Sequence, residues 1–226
     1  MEGPFEAGGT WVWRDRRDDV FVTFAGRGPG GEREEVLARI DPAAPPVAWA
    51  KQIHSATALP ARRGGCGEGD ALFTREAGLA LSVVTADCVP VLLAGPDGLA
   101  AVHAGWRGIV GGVVPATIEA AGIERPEAWT AWIGPAIGSC CYEVGEDVAA
   151  QVIAASGPEV AIPGPAGKPH LDLHAAVRHQ LAAAGIGEVI SISDCTRCDA
   201  ERLWSYRREG KRAGRNLGFI WRRAAG

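Results

Sequence analysis

Short apolar runs bounded by glycine and proline alternate with amphipathic segments along the chain. Runs rich in β-branched and aromatic residues predict strands, and apolar residues spaced by three or four predict helices. The predicted strands are 20–24, 47–53, 79–85, 89–94, 99–103, 129–133, 189–192 and 217–221. The predicted helices are 32–40, 108–121 with an interruption or kink at Pro115, 145–155 and 172–184. No repeat or long linker divides this series, so we predict one mixed α/β (α+β) domain over residues 1–226.

Composition narrows the class of protein. Of the 226 residues, 47% are hydrophobic and 22% are charged. No apolar run reaches the roughly 18 residues of a membrane span. The N-terminus has no basic region followed by an apolar core, which a secretory signal would need. We therefore expect a cytoplasmic protein with reduced cysteines and no membrane partner.

Charge is unevenly distributed along the chain. The formal net charge of −4 argues against a general nucleic-acid-binding surface. From Cys195 to the C-terminus, however, nine Lys and Arg oppose three Asp and Glu, a net of +6. A local cationic surface on an acidic protein indicates a small anionic ligand, and a solvated basic tail is the alternative.

A predicted hairpin brings a cysteine and a histidine together. Strands 89–94 and 99–103 are joined by Gly95-Pro96-Asp97-Gly98, a sequence typical of a tight turn. Folding about this turn places position 88 opposite roughly position 105. Cys88 and His103 are then neighbours, since facing Cβ atoms lie about 4.5–5.5 Å apart and diagonal ones about 7–8 Å.

His54 is a third candidate ligand because it follows the predicted strand 47–53 directly. Two histidines and one cysteine would give zinc three protein ligands and leave its fourth position open, as in catalytic sites. The alternative for Cys88 is a small buried apolar residue. The segment 103–108 adds small residues, free amides at a helix start and Arg107, which together resemble an anion pocket. A plain strand-to-helix turn is the alternative there.

The remaining cysteines do not predict a second metal site. Cys195 and Cys198 form a CxxC motif, but a structural zinc site needs a second pair of ligands. The adjacent Cys140 and Cys141 are poor candidates for that pair. Cys66 lies in a glycine-rich loop and is interpreted as a small loop residue.

Seven motifs follow one another along the chain. They are Gln52-Ile53-His54, Gly69-Asp70-Ala71-Leu72, Thr85-Ala86-Asp87-Cys88-Val89-Pro90-Val91, His103-Ala104-Gly105-Trp106-Arg107-Gly108, Ile133-Gly134-Pro135-Ala136-Ile137-Gly138, Cys141-Tyr142-Glu143-Val144 and Ser205-Tyr206-Arg207-Arg208. Together they resemble the laccase-domain family, formerly called multicopper polyphenol oxidases and now understood as purine nucleoside phosphorylases. The resemblance covers about residues 20–221.

The resemblance implies an α/β/β/α layered fold with mixed sheets and a zinc ion bound by His54, Cys88 and His103. It also implies phosphorolysis of adenosine, inosine, guanosine or 5′-methylthioadenosine, with adenosine deamination as a side activity. The expected partners are therefore purine nucleosides and inorganic phosphate. Copper does not fit, because the chain has only five histidines. Three of these, His170, His174 and His179, lie in or just before one helix, and His170 is expected at the loop surface.

Roles for further residues follow as hypotheses. Arg107 and the helix start would fix phosphate, and Asp87 or Glu143 would protonate the leaving purine. Other candidate substrate contacts are Arg27, Tyr206, Arg207, Arg208 and Arg215. The motifs around Arg27 and Arg215 each contain one residue more than the family's usual pattern, so the sequence does not predict which purine base is preferred. It does not predict the oligomeric state either. Two other functions remain: a metal-free hydrolase with Cys88 as nucleophile and His103 as base, and a non-catalytic zinc-stapled domain.

Overall fold

In the computed structural model, which describes residues 1–165 and 167–224, fifteen strands and six α-helices follow one another. The strands are β1 Glu2–Ala7, β2 Thr10–Arg17, β3 Val20–Ala25, β4 Val47–Lys51, β5 Ala58–Pro60, β6 Gly64–Glu68, β7 Ala71–Thr74, β8 Ala80–Thr85, β9 Val89–Gly95, β10 Gly98–Ala104, β11 Thr130–Ile133, β12 Ala161–Pro163, β13 Pro169–Leu171, β14 Glu188–Ser191 and β15 Asn216–Arg222. The helices are α1 Arg33–Ile40, α2 Trp106–Val110, α3 Val113–Ala120, α4 Glu146–Ser156, α5 Leu173–Ala183 and α6 Tyr206–Glu209.

The strands form two large mixed sheets. The first has seven strands in the order β1-β2-β3-β15-β8-β4-β6, with β4 parallel to both of its neighbours. The second has six strands in the order β14-β11-β9-β10-β7-β5, with parallel pairs at its two ends. Strands β12 and β13 form a separate antiparallel pair. This arrangement confirms the prediction of mixed sheets.

The alternation of side chains along β9 shows how the layers pack. Val91 and Leu93 lie in the core between the second sheet and the helices that cover it. Leu92 and Ala94 point the other way and lie in the core between the two sheets. All four are buried because both faces of this sheet are covered. Residues of α1 cover the outer face of the first sheet, which completes the predicted α/β/β/α order.

The β9–β10 hairpin has the register that the turn predicts. Gly95 pairs with Gly98, and Val89 pairs with Ala104 at the far end. Extending the register by one residue places position 88 opposite position 105, and His103 lies opposite Pro90. Turn chemistry alone therefore sets the spacing on which the candidate site depends.

The helix predicted over 108–121 is interrupted, as expected, but the interruption lies before Pro115 and not at it. Two helices, α2 and α3, occupy this region, and Gly111 and Gly112 separate them. Gly112 adopts a φ of 74°, a left-handed conformation that favours glycine and ends the first helix. Pro115 lies in the first turn of α3, where its missing N–H has no helical acceptor, so it causes no break.

Strands β1 and β2, before the first predicted strand, were not predicted. They extend one edge of the seven-stranded sheet by antiparallel pairing onto β3. The segments 58–68, with three glycines, and 71–74 also contribute short strands that were not predicted. Within the residues that the structure describes, no helix is both long enough and apolar enough to cross a bilayer.

Candidate active site

The three predicted ligands come together at the end of the hairpin. The nearest ligand atoms of His54, Cys88 and His103 all lie within 4.8 Å of one another. His54 Nε2 is 4.0 Å from Cys88 Sγ. The two imidazole rings meet edge to face, with centroids 4.9 Å apart. Residues from three separate segments therefore present two nitrogens and one sulfur to a single point.

A buried carboxylate, Asp70, holds this arrangement in place. Its Oδ1 accepts the His54 backbone N–H at 3.0 Å and lies 2.8 Å from His103 Nδ1. Its Oδ2 accepts the N–H and hydroxyl of Ser55 at 2.6 and 2.8 Å, and the N–H of Ile53 at 3.2 Å. Burial acts to raise the pKa of Asp70, but the bonds from His103 and Ser55 hold it well below its ordinary range. The sequence places Asp70 in the motif 69–72 but does not predict this role for it.

His54 depends on Asp70 for its backbone conformation. Its φ is 61°, in the left-handed region that a residue other than glycine adopts infrequently. The bonds to the N–H groups of Ile53, His54 and Ser55 fix this turn around one carboxylate. The turn places the imidazole of His54 beside Cys88.

The trio is electrostatically coupled. Burial acts to lower the pKa of His103, but its hydrogen bonds with Asp70 and Cys88 raise that pKa to about 9. Burial acts to raise the pKa of Cys88, but its hydrogen bonds with His103 and His54 lower that pKa to about 7. A thiolate is therefore accessible near neutral pH, and thiolate is the form that binds metals and acts as a nucleophile.

The donor set fits a metal ion. Asp70 occupies Nδ1 of His103, which leaves Nε2 of that ring for the cluster, the usual carboxylate–histidine arrangement around zinc. Gly105 leaves room for the ligands, since a Cβ there would lie 3.0 Å from both Cys88 Sγ and His54 Cδ2. Two imidazoles and one thiolate suit zinc, and three protein ligands leave one position open.

A cavity of about 540 Å³ opens onto the trio. Five of the other predicted site residues line it: Asp87, Arg107, Tyr206, Arg207 and Arg215. Sequence reasoning missed two polar side chains in the wall, those of Gln52 and Tyr142. Burial raises the pKa of Tyr142 to about 12, so its phenol stays protonated and can donate a hydrogen bond.

The cavity wall is cationic. The guanidinium of Arg107 lies 4.4 Å from the ring centroid of Trp106, and that of Arg207 lies 5.1 Å from the ring of Tyr142. Arg207 also donates to the carbonyl of Glu143 at 2.9 Å. Stacking of this kind fixes the direction of each charge, and the wall can therefore bind an anion beside the trio.

Asp87 is engaged within the protein. Its Oδ1 accepts the Thr196 hydroxyl and its Oδ2 accepts the Arg207 N–H, both at 2.6 Å. Only 8% of the residue is exposed. With both oxygens already accepting bonds, Asp87 holds Arg207 and Thr196 beside the cavity. No motif predicts this arrangement, because Thr196 and Arg207 are more than 100 residues away along the chain.

Two residues predicted to contact substrate lie outside the cavity wall. Arg27 donates to the Leu203 carbonyl, pairs with Glu209 and stacks 3.8 Å from the ring centroid of Trp204. Glu143 forms an ion pair with Lys168, at 3.1 Å. Each side chain is held by a partner away from the cavity, and a motif in the sequence does not show which partner the fold supplies.

Arg208 is the third such residue. Its guanidinium donates to the carbonyls of Arg197 and Leu203, at 2.8 and 2.6 Å, and also to that of Thr196. Its charge therefore holds backbone together beneath the cavity. The neighbouring Arg207 faces the cavity instead.

The other histidines lie apart from the trio and from one another. His170 is buried, contrary to expectation, because it lies in β13 with its Nδ1 2.6 Å from the Ser139 carbonyl oxygen. His174 Nε2 lies 3.0 Å from the carbonyl oxygen of Gly134, and His179 lies 3.6 Å from Glu159. Across residues 1–165 and 167–224, two groups of His, Cys, Asp or Glu could hold a metal: the trio and a cluster of four cysteines.

The cysteine cluster corrects the expectation drawn from sequence. Cys140 and Cys141 do lie beside Cys195 and Cys198, although the two pairs are far apart in the chain. The parallel strands β11 and β14 end at the same edge of their sheet, and each pair lies in a loop beyond one of them. Proximity here is a product of sheet topology.

Comparison with known proteins decides the family. The family model described as multi-copper polyphenol oxidoreductase laccase matches residues 31–223. The chain belongs to this family. The family's name refers to copper, whereas the donor set of the trio contains two imidazoles and one thiolate.

Relatives within this laccase-like family carry enzyme names. The chain is 39% identical to a purine nucleoside phosphorylase of Deinococcus radiodurans, over 91% of this chain and 79% of that protein. It is 42% identical to one of Streptomyces coelicolor, over 80% and 76%. A protein named adenosine deaminase RL5, from an unknown prokaryotic organism, is 39% identical over 68% and 62%. The crystal structure of Bacillus licheniformis hypothetical protein YfiH superposes with a TM-score of 0.84 at 25% identity, covering 96% of this chain and 98% of that one.

Proposed function

We propose that this protein is a zinc-dependent purine nucleoside phosphorylase. It would split adenosine, inosine, guanosine or 5′-methylthioadenosine with phosphate, giving the free base and ribose 1-phosphate. The observation that carries the proposal is the position of the His54, Cys88 and His103 trio at the foot of a cavity with a cationic wall. The names of the relatives support the same reaction.

Each part of the site has a role in this reaction. His54, Cys88 and His103 would hold the zinc ion, which when bound supplies a Lewis acid beside the phosphate. Arg107 and Arg207 bind the phosphate through their guanidinium groups and orient one of its oxygens towards the ribose. Asp70 keeps the trio in place.

The group transfer forms one bond and breaks another. A phosphate oxygen bonds to C1′ of the ribose, and the bond from C1′ to the purine nitrogen breaks, with its electron pair leaving on the purine. The departing purine takes up a proton from solvent, and the ester formed from hydrogen phosphate releases one in return. Both oxygens of Asp87 already accept bonds within the protein, so Asp87 positions Arg207 and does not supply that proton.

The exposed ring of Tyr206 forms part of the cavity mouth and offers a flat face to a purine. Tyr142 adds a protonated phenol in the wall. Both groups would bind the base, and the arginines would bind the phosphate.

A second function has its own supporting observation. The thiol of Cys88, with its pKa lowered to about 7, and the imidazole of His103, with its pKa raised to about 9, form a nucleophile–base pair. Such a pair would serve a metal-free hydrolase. Adenosine deamination is a third outcome, supported by the name of one relative.

One assay separates these functions. Protein purified with a reductant and without added metal is incubated with adenosine or inosine, with and without phosphate, and products are separated by chromatography. Base release that requires phosphate is expected, together with ribose 1-phosphate. Base release without phosphate would refute phosphorolysis in favour of hydrolysis, and inosine formed from adenosine would show deamination.

Two variants and a metal measurement complete the test. Cys88→Ala should abolish base release while the circular dichroism spectrum is retained. Cys66→Ala is the control, because Cys66 lies in β6 with its thiol bonded to the Arg62 carbonyl, and it should leave activity unchanged. Metal analysis should find one zinc ion fewer per chain in His54→Ala than in the wild type. If the zinc only stapled the domain, His54→Ala would unfold it and phosphate would not shift the melting temperature of the wild type.

A further inference from the structure

Four cysteine side chains gather at one edge of the six-stranded sheet, and the proposed reaction makes no use of them. Cys140 and Cys141 lie in the loop that follows β11, and Cys195 and Cys198 lie in the loop that follows β14. These strands are parallel neighbours, with Ile133 paired to Ser191 at their carboxyl ends. A further bridge between Ala136 and Cys195 keeps the two loops side by side.

The sulfur atoms have the spacing of ligands to a single ion. Cys140 Sγ lies 3.7 Å from the Sγ atoms of both Cys141 and Cys198, and Cys141 Sγ lies 3.4 Å from that of Cys198. Cys195 Sγ completes a group in which all four atoms lie within 4.8 Å of one another. A tetrahedral zinc ion with Zn–S bonds of about 2.3 Å places its sulfurs about 3.8 Å apart.

The backbone between the two pairs leaves space for the sulfurs. The N–H of Gly138 donates to Cys195 Sγ at 3.2 Å. A Cβ at Gly138 would lie 3.2 Å from Cys140 Sγ and 3.4 Å from the Cβ of Cys195. The absence of a side chain at this position therefore allows both sulfurs to approach the same point.

We infer that Cys140, Cys141, Cys195 and Cys198 bind a second zinc ion, as a closed structural site. Four thiolates fill the tetrahedron and leave no open position, in contrast to the trio. Tetrahedral sulfur ligands select zinc or iron, and zinc is the commoner ion in structural sites of this composition. The inference does not depend on the proposed function.

The position of the cluster suggests what it stabilises. Thr196, next to Cys195, donates its hydroxyl to Asp87, which in turn accepts the Arg207 N–H. Tyr142, next to Cys141, lines the cavity. A metal that joins the two loops would therefore hold two parts of the cavity wall, Arg207 and Tyr142, in place.

Metal counting tests the inference. The protein is purified under reducing conditions without added metal, and its zinc content is measured by mass spectrometry of the dissolved metal. We expect two zinc ions per wild-type chain and one in the Cys195→Ser/Cys198→Ser double variant. His54→Ala should also retain one, and the matched control Cys66→Ser should retain two.

Cobalt substitution identifies which site is lost. A tetrathiolate cobalt complex has strong sulfur-to-metal charge-transfer absorption, which the double variant should lose and His54→Ala should keep. If the double variant does not fold, titration of the wild type with an organomercurial should release two zinc ions, measured with a chromogenic chelator. Zinc that the double variant retains in full, iron in place of zinc, four freely reactive thiols or a disulfide within the cluster would each overturn the inference. One zinc per wild-type chain that the double variant loses would support the cluster and would count against the trio as a zinc site.

Discussion

Replacement of Asp70 by asparagine gives the sharpest test of how the trio is built. The carboxylate faces five donors: two at Oδ1, from His54 and His103, and three at Oδ2, from Ile53 and Ser55. An asparagine has nearly the same shape but carries N–H₂ in place of one oxygen. The N–H₂ group of the asparagine must therefore face donors itself: two if it takes the position of Oδ1, and three if it takes the position of Oδ2.

The magnitude follows from the donors that lose their partners. In the better orientation two buried donors are left unpaired, at about 1–3 kcal/mol each, so Asp70→Asn should lower the free energy of unfolding by about 2–6 kcal/mol. The Nδ1–H of His103 would then face the N–H₂ group of the asparagine. His103 can avoid this contact between two donors only by moving its proton to Nε2, the nitrogen that faces the other ligands of the trio. That tautomer cannot bind a metal, so zinc affinity should fall by about 10- to 100-fold.

Two measurements check this prediction. Zinc affinity is obtained by competition with a chromogenic chelator, and the free energy of unfolding by denaturant titration. Ser55→Ala is the matched control, because it removes one donor from the same carboxylate and leaves His103 unchanged. It should cost about 1 kcal/mol with little loss of zinc. If Asp70→Asn bound zinc within threefold of the wild type and was equally stable, the carboxylate would not be the group that organises the trio.

Three further predictions follow from the site and its surroundings. Gly105→Ala should cost about 1–3 kcal/mol and weaken zinc binding, because the new Cβ would lie 3.0 Å from Cys88 Sγ; unchanged metal content would contradict this. Arg208→Lys should lower the free energy of unfolding by about 1–3 kcal/mol, because bonds to backbone carbonyls are lost. Arg207→Lys should mainly raise the KM for phosphate. Melting and kinetic measurements that gave the opposite pattern would show that Arg208 binds phosphate and Arg207 stabilises the fold. Burial lowers the pKa of His174 below its ordinary 6.5, so this histidine binds a proton more readily in the unfolded chain than in the folded one. The melting temperature should therefore fall as the pH drops below about 6.5. The fall should be smaller in His174→Gln.

The sequence by itself determined the parts of the protein that depend on local rules. Periodicity located the strands and helices of the central layers within a few residues, and the turn at Pro96-Asp97 fixed which residues face one another across the hairpin. That register was enough to bring Cys88 towards His103. It worked because turn geometry and the two-residue repeat of a strand act over a short stretch of chain.

Tertiary structure decided everything that depends on partners far apart in the chain. Asp70 organises the trio through bonds to residues 15 to 33 positions away. Arg207 and Arg208 are adjacent, yet one faces the cavity and the other binds backbone carbonyls. Neither outcome has a local signal, because a charged side chain pairs with whatever the fold places nearest to it.

The cysteine cluster shows the same limit most clearly. Cys140 and Cys198 are 58 residues apart, and no spacing rule for metal ligands joins them. They meet because β11 and β14 are parallel neighbours, so the loops that follow them begin at the same edge of the sheet. The sequence therefore specified which chemical groups were present and the local geometry of one pair. The packing of the two sheets and their loops determined which groups share a site.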